Sequence, residues 1–266
     1  MGYAEVLRRS FPALDPVVDD LFLLEAHEVA ELPHRVPARE LAAVLHAWPS
    51  LHRFLGMRHP PVAPTLDELL ATYAAVTEDE LPGCADVVLW EVADWIVYQR
   101  APAYYDERVA IPWDVAAVTG VVDLTGARVI DAGAGTGRVA LSVAPLAASV
   151  FAVEPVAALR GYLRGRAAGR GLDNVYVLDG VLHAVPLPDE TADVLLTCHA
   201  VGWNLAAELR EIDRLVRPGG TVLHAFAELE GQTLGGPVQQ ALESHGYVHS
   251  THRSARGLLH CYTRRL

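Results

Sequence analysis

Along the first hundred residues apolar positions recur at helical spacing, and no convincing polar–apolar alternation appears. From Leu14 to Leu32 they fall at Val17, Val18, Leu21 and Leu24, with Pro33 as the expected stop. Ala38 to Trp48 repeats the pattern and ends before Pro49. Pro60, Pro61 and Pro64 then interrupt, and Thr65 with Glu68 makes a capping-box signature that opens a helix over Leu66–Val76. Asp86 to Tyr105 reads as one long helix with Val88, Val92, Trp95 and Ile96 on one side.

Near Ala127 the pattern changes. Arg128–Asp131 is a short buried strand running into Gly-Ala-Gly-Thr-Gly, and Arg138–Leu146 continues as a helix. Ser149–Glu154, Val175–Leu178, Asp193–Thr197 and Thr221–Phe226 read as strands, with helices over Pro155–Ala168 and Ala206–Val216. Gly246-Tyr247-Val248 and Leu258–Tyr262 suit a closing hairpin. Short apolar strands alternating with helices predict an α/β fold, a doubly wound and mostly parallel sheet covered on both faces. The expected organisation is a helical region over residues 1–109, acting as a lid or wall of a substrate pocket, and a sheet domain over residues 110–266.

Composition narrows the chemistry. All 21 basic residues are arginine, so a lysine Schiff base, a phosphate-loop lysine and a Ser-x-x-Lys nucleophile are excluded. Residues 1–112 hold 18 acidic side chains against 8 arginines, a net of −10, and the remainder a net of −2, out of −12 overall. Such a surface repels phosphate backbones, so the partner expected is a neutral or cationic small molecule and not a nucleic acid. Cys84, Cys198 and Cys261 lie too far apart for a disulfide framework or a zinc spacing. No apolar run reaches the roughly 18 residues of a membrane span, and Arg8-Arg9 precede no apolar leader, so the expected location is the cytoplasm. Association of identical copies is left open.

The segment Val129-Ile-Asp-Ala-Gly-Ala-Gly-Thr-Gly137 carries the chemistry. A strand ends there, three glycines permit a sharp turn and close approach of a ligand, and the following helix offers its first N–H groups. Glu154 stands at the end of the second strand, where a carboxylate accepts both hydroxyls of a ribose. The spacing is G-x-G-x-G, with Arg138 where a dinucleotide fingerprint continues, and Asp131 suits a ligand bearing an ammonium group.

On these residues the chain resembles the class I S-adenosylmethionine-dependent methyltransferases, and within them the small-molecule group that includes the ubiquinone and menaquinone biosynthesis enzymes. The resemblance covers about residues 100–226. It rests on Asp131–Gly137, Glu154, Pro186-Leu-Pro-Asp189 with Ala192-Asp193-Val194, and Leu215-Val-Arg-Pro-Gly-Gly220. It implies a Rossmann-like methyltransferase fold with S-adenosylmethionine as cofactor, S-adenosylhomocysteine as product, and a small-molecule acceptor methylated at O, N or C. By position, Gly133, Ala134, Gly135 and Gly137 would line the methionine part, Asp131 its ammonium and Glu154 the ribose. Val153 and Pro155 would flank the adenosine. Where similar enzymes carry an Asp for the adenine amino group this chain has Val181, after Gly180; Asp179 in a shifted register, or His183, are the substitutes.

His199, just past the fourth strand, is the candidate general base, with Trp203 and Asn204 beside it. Tyr104, Tyr105, Asp106 and Trp113 lie in the stretch that folds over the cofactor in similar enzymes, and Tyr105 is the candidate for the sulfonium end. His46, His52 and His59 lack a metal-ligand spacing, so no metal is expected. Non-methylating use of S-adenosylmethionine, a nicotinamide-dependent oxidoreductase and a catalytically inactive ligand-binding or interaction module remain alternatives.

Overall fold

The computed structural model describes residues 2–109, 111–227, 235–254 and 257–266. The chain divides into two compact units, Met1–Val109 and Ala110–Leu266.

The N-terminal unit is helical among its described residues. Its helices are α1 (Tyr3–Ser10), α2 (Ala26–Arg35), α3 (Ala38–Ala47), α4 (Pro49–Arg58), α5 (Ala63–Thr72), α6 (Leu81–Glu91), α7 (Ala93–Arg100) and α8 (Pro102–Arg108). Leu21, Leu24, Val29, Leu41, Leu51, Leu66, Val88 and Ile96 fill its core. Three expectations change here. The stretch Leu14–Leu32 is a 3₁₀ turn over Val18–Leu23 followed by α2, and Pro33 sits inside α2. In its last turn a proline removes few helical bonds, and the Val36 N–H still closes onto Leu32 C=O. Helix α5 starts at Ala63 with Pro64 in its first turn, leaving Thr65 inside it and not at its cap. The long helix Asp86–Tyr105 is three pieces, broken at Val92 and again at Ala101, whose successor Pro102 excludes it from the helical region.

The C-terminal unit is built on a sheet. Among the described residues its strands are β1 (Arg128–Ala132), β2 (Ser149–Val153), β3 (Val175–Leu178), β4 (Ala192–Cys198), β5 (Val216–Ala227), β6 (Val248–Ser254) and β7 (Gly257–Arg265). They lie in the order β3-β2-β1-β4-β5-β7-β6. The first five are parallel, and β7 and β6 add an antiparallel pair at one edge. The helices are α9 (Ala116–Thr119), α10 (Ala140–Val143), α11 (Ala157–Gly169), α12 (Leu205–Leu215) and α13 (Pro237–Ser244). Alternation divides the strands between two cores: Val129, Leu196 and Leu223 pack on one face, Ile130, Leu195 and Val222 on the other. Burying a side chain of this size contributes about 1.5–3 kcal/mol. A sheet covered on both faces is the α/β architecture expected. One element is shorter than its pattern: after the glycines only Ala140–Val143 is α-helical, where Arg138–Leu146 was expected.

The order reverses between β1 and β4. At such a switch point neighbouring connections leave in opposite directions and open a crevice beyond the carboxyl ends of the strands, which is where α/β sheets bind ligands.

Candidate active site

The turn after β1 lies at this switch point. Gly133, Gly135 and Gly137 all have positive φ (72°, 54° and 89°), which Cβ-bearing residues rarely adopt. Two of them also admit no side chain. A Cβ on Gly133 would lie 2.2 Å from Ala200 Cβ, and one on Gly137 would lie 2.7 Å from Leu163 Cγ. A Cβ on Gly135 meets nothing within 4 Å. The turn is stitched to β2, since the N–H groups of Gly133 and Ala134 both donate to Val153 C=O, at 2.8 and 3.0 Å. Arg166 of α11 adds a bond from Nη1 to Thr136 C=O at 2.8 Å.

Glu154 follows β2 directly and is buried. Its Oε2 accepts the Gly135 N–H at 2.8 Å and its Oε1 the Val156 N–H at 2.9 Å. These two bonds orient the carboxylate between the glycine turn and the end of β2. Asp131, also buried, accepts the Ala140 N–H through Oδ2 at 2.8 Å, while its Oδ1 finds no partner among the described residues. Burial pushes its carboxyl up to about 7, with Glu154 adding in the same direction. At the expected helix N-terminus the Ala140 N–H is taken by Asp131 within the fold, and α10 is a single turn.

Asp179, Gly180 and Val181 follow β3. The Asp179 side chain is 71% exposed and is gripped by both Arg160 terminal nitrogens, at 3.0 and 3.1 Å. Arg160, on α11, also donates to Glu154 C=O at 2.9 Å and Pro155 C=O at 2.6 Å. Gly180 is packed tightly, a Cβ there falling 2.9 Å from Pro186 Cδ, and Val181 closes a tight turn onto Ala184. His183 is exposed.

His199, the candidate base, directly follows β4. Its backbone is left-handed (φ 59°), and its Nε2 accepts the Ala227 N–H at 2.7 Å. The neutral ring then carries its proton on Nδ1, so its one lone pair is already engaged. Burial pushes the imidazole down to about 4. This geometry makes His199 a brace between the ends of β4 and β5. Beside it burial, together with Asp131, pushes the Cys198 thiol up to about 12, which leaves it inert.

The aromatic candidates have ring and hydrogen-bond partners of their own. Trp113 is buried in the core and donates from Nε1 to Ser142 Oγ at 2.8 Å. Tyr105 lies in the N-terminal unit, 4.7 Å from the Tyr98 ring and 6.4 Å from Phe11, and Tyr104 accepts the Ala13 N–H there. His46 bonds Tyr73 C=O and His52 pairs with Asp67. Among the described residues no three His, Cys, Asp or Glu side chains are grouped to hold a metal. The structure thus brings together Asp131, Gly133, Ala134, Gly135, Gly137, Glu154, Pro155, Asp179, Gly180 and Val181, with His199 nearby. Arg160 and Arg166, which tie the ends of β2 and β3 and the glycine turn, escaped the sequence reading because a lone arginine on a helix gives no local sign of its carbonyl partners.

Residues 130–224 match the family model of a methyltransferase domain. The chain is 35% identical over 119 residues to malonyl-[acyl-carrier protein] O-methyltransferase of Yersinia pestis, covering 44% of this chain and 43% of that protein. It is 32% identical over 125 residues to an uncharacterized methyltransferase of Mycobacterium tuberculosis, covering 46% of each. The chain therefore spans less than half the length of these curated relatives. Among solved structures the DhpI–SAM–HEP complex shares the fold, with a TM-score of 0.50 and 20% identity over 65% of this chain and 96% of that one.

Proposed function

We propose, from the premise that this chain carries a class I S-adenosylmethionine-dependent methyltransferase domain, that it methylates a small molecule at O, N or C. The observation that carries the reading is the pairing of an unpartnered, buried Asp131 Oδ1 with a glycine turn whose Gly133 admits no Cβ. These features fit the cofactor: the carboxylate for its ammonium group, the glycine turn for its methionine chain, and Glu154 for its ribose diol. When bound, S-adenosylmethionine supplies a methyl group activated by a sulfonium.

The chain's own residues then bind and orient. Asp131 offers charge to a cation in a setting where an unsatisfied carboxylate is costly. Glu154 holds Gly135 and Val156 and thereby the spacing between the glycine turn and the end of β2. Arg160 fixes Pro155 and Asp179, the flank expected for adenine, and stands in for the missing Asp at position 181 by holding Asp179 at the end of β3. With His199 engaged by Ala227, the support is for catalysis by positioning, which displacement at an activated methyl permits. Tyr105 is assigned to packing within its own unit. The Yersinia pestis relative is named for O-methylation, which favours oxygen among the acceptor atoms. Three free cysteines suit a reducing cytoplasm, and no helix among the described residues is long and apolar enough to cross a membrane.

Calorimetric titration with S-adenosylhomocysteine and, in parallel, NADH tests the reading on the wild type and on Glu154→Gln. Micromolar binding of the former, weakened at least tenfold by the substitution, is the expected result. A wild type that ignores S-adenosylhomocysteine would sink the methyltransferase reading, and NADH binding would replace it with an oxidoreductase.

A further inference from the structure

The segment between β4 and α12 is organised by a residue that the binding scheme does not use. Glu208, in the first turns of α12, is 1% exposed. Its Oε2 accepts the Gly202 N–H at 2.7 Å, and its Oε1 accepts those of Trp203 at 3.1 Å and Asn204 at 3.0 Å. Three consecutive backbone amides thus converge on one carboxylate. Hydrogen bonds to an ionised acceptor are about twice as strong as neutral ones. A buried carboxylate is tolerated only when satisfied in this way, so the charge and the loop conformation require each other.

A helix cap alone would not need this device. Asn204 stands at the cap position and makes no side-chain bond there, although its residue type is among the best for that purpose. What Glu208 adds is a fixed loop. On one side Ala200 presses against the glycine turn so closely that Gly133 must lack a Cβ. On the other, Gly202 takes φ 119°, with a Cβ there falling 2.8 Å from Val238 Cγ2. Between these pins Trp203 is left 56% exposed beyond the carboxyl end of β4. An indole there sacrifices a large apolar area to water, which a rigid loop can impose and a binding partner can recover.

We propose that Glu208 is a positioning residue which, through the Gly202, Trp203 and Asn204 amides, sets Ala200 against the cofactor-binding glycine turn and presents the Trp203 indole to an acceptor with a flat, unsaturated face. The proposal rests on the methyltransferase reading. It deepens that reading by assigning the loop after β4 to acceptor selection and by naming the class of acceptor.

The test combines three readouts on the wild type, Glu208→Gln, Glu208→Ala and Trp203→Ala. Amide hydrogen exchange at residues 202–204 reports the anchor. Titration with S-adenosylhomocysteine reports the cofactor side, and saturation-transfer NMR with phenol and cyclohexanol, on protein saturated with S-adenosylhomocysteine, reports the acceptor side. The expected results are loss of protection at 202–204, affinity for S-adenosylhomocysteine about tenfold weaker in Glu208→Ala with Glu208→Gln intermediate, and a phenol signal lost in all three variants. The wild type should show a weaker signal for cyclohexanol than for phenol. Wild-type affinity in both Glu208 variants, with only a lower melting temperature, would overturn this proposal alone. Persistence of the phenol signal in Trp203→Ala would overturn the acceptor assignment. Absence of S-adenosylhomocysteine binding to the wild type would overturn the methyltransferase reading and this proposal with it.

Discussion

The glycines of the turn after β1 look alike in sequence and differ in space. Gly133 combines φ 72° with a neighbour 2.2 Å from its absent Cβ, so Gly133→Ala must displace Ala200 as well as strain the backbone. Gly135 has φ 54° and open space. Gly135→Ala should therefore cost about 1–2 kcal/mol of conformational strain, whereas Gly133→Ala should cost more by an overpacking penalty of about 1–3 kcal/mol. Chemical denaturation of the two variants checks this, and equal losses would refute the steric account. Affinity for S-adenosylhomocysteine should follow the same order, because only Gly133 sets the spacing to the segment after β4.

At the scale of elements, α11 and the ends of β4 and β5 do the positioning. Arg160 reaches from α11 to two carbonyls after β2 and to a carboxylate after β3, and a planar guanidinium spans these where an ammonium does not. Arg160→Lys should keep the charge and still weaken S-adenosylhomocysteine binding about tenfold, with a melting temperature near that of the wild type. Full retention of affinity by the lysine variant would show that charge alone suffices. His199 braces β4 to β5 through Ala227, and burial holds its imidazole at about 4. Nitrogen-15 NMR of the labelled ring should show a neutral, Nδ1-protonated imidazole from pH 8 down to pH 5. A midpoint near 6.5 would restore the general-base role.

At the scale of the molecule, each unit hides a carboxyl that burial pushes up: Glu28 to about 8 in the helical unit and Asp131 to about 7 in the sheet unit. A raised carboxyl favours the folded state while protonated, so its contribution is complete below about pH 4 and is lost as pH rises to 7 or 8. The buried His199 and His224, pushed down to about 4 and about 3, act oppositely and cost stability as pH falls below 6.5. Between about pH 4 and 6.5 the two pairs oppose one another, and above 6.5 only the carboxyls still titrate. Calorimetric melting temperatures should accordingly fall between pH 6.5 and 8. Glu28→Gln should flatten that fall for the helical unit, and Asp131→Asn for the sheet unit. A melting temperature that rises over this interval would contradict both assignments.

How much of this could be read before folding depends on the range of the interactions. The strands around Arg128, Ser149, Val175 and Ala192, the glycine turn, and Glu154 at the end of β2 were legible because each is declared by a local pattern: an apolar run, a positive-φ residue, a carboxylate at a strand end. The breaks at Val92 and Ala101 were harder to see, since helical periodicity continues across them while the backbone does not. Pro33 shows the reverse, as a proline in a last helical turn removes too few bonds to end the helix. The roles of side chains were decided only by tertiary structure. His199 engages an amide 28 residues away, Trp113 packs in the core and bonds Ser142, and Glu208 gathers three N–H groups whose orientation exists only once the loop after β4 is closed. Sequence alone determines which backbone shapes and which chemical groups are available. The packed fold decides which lone pairs and which protons are already spent, because hydrogen bonding and desolvation depend on neighbours that chain order does not reveal.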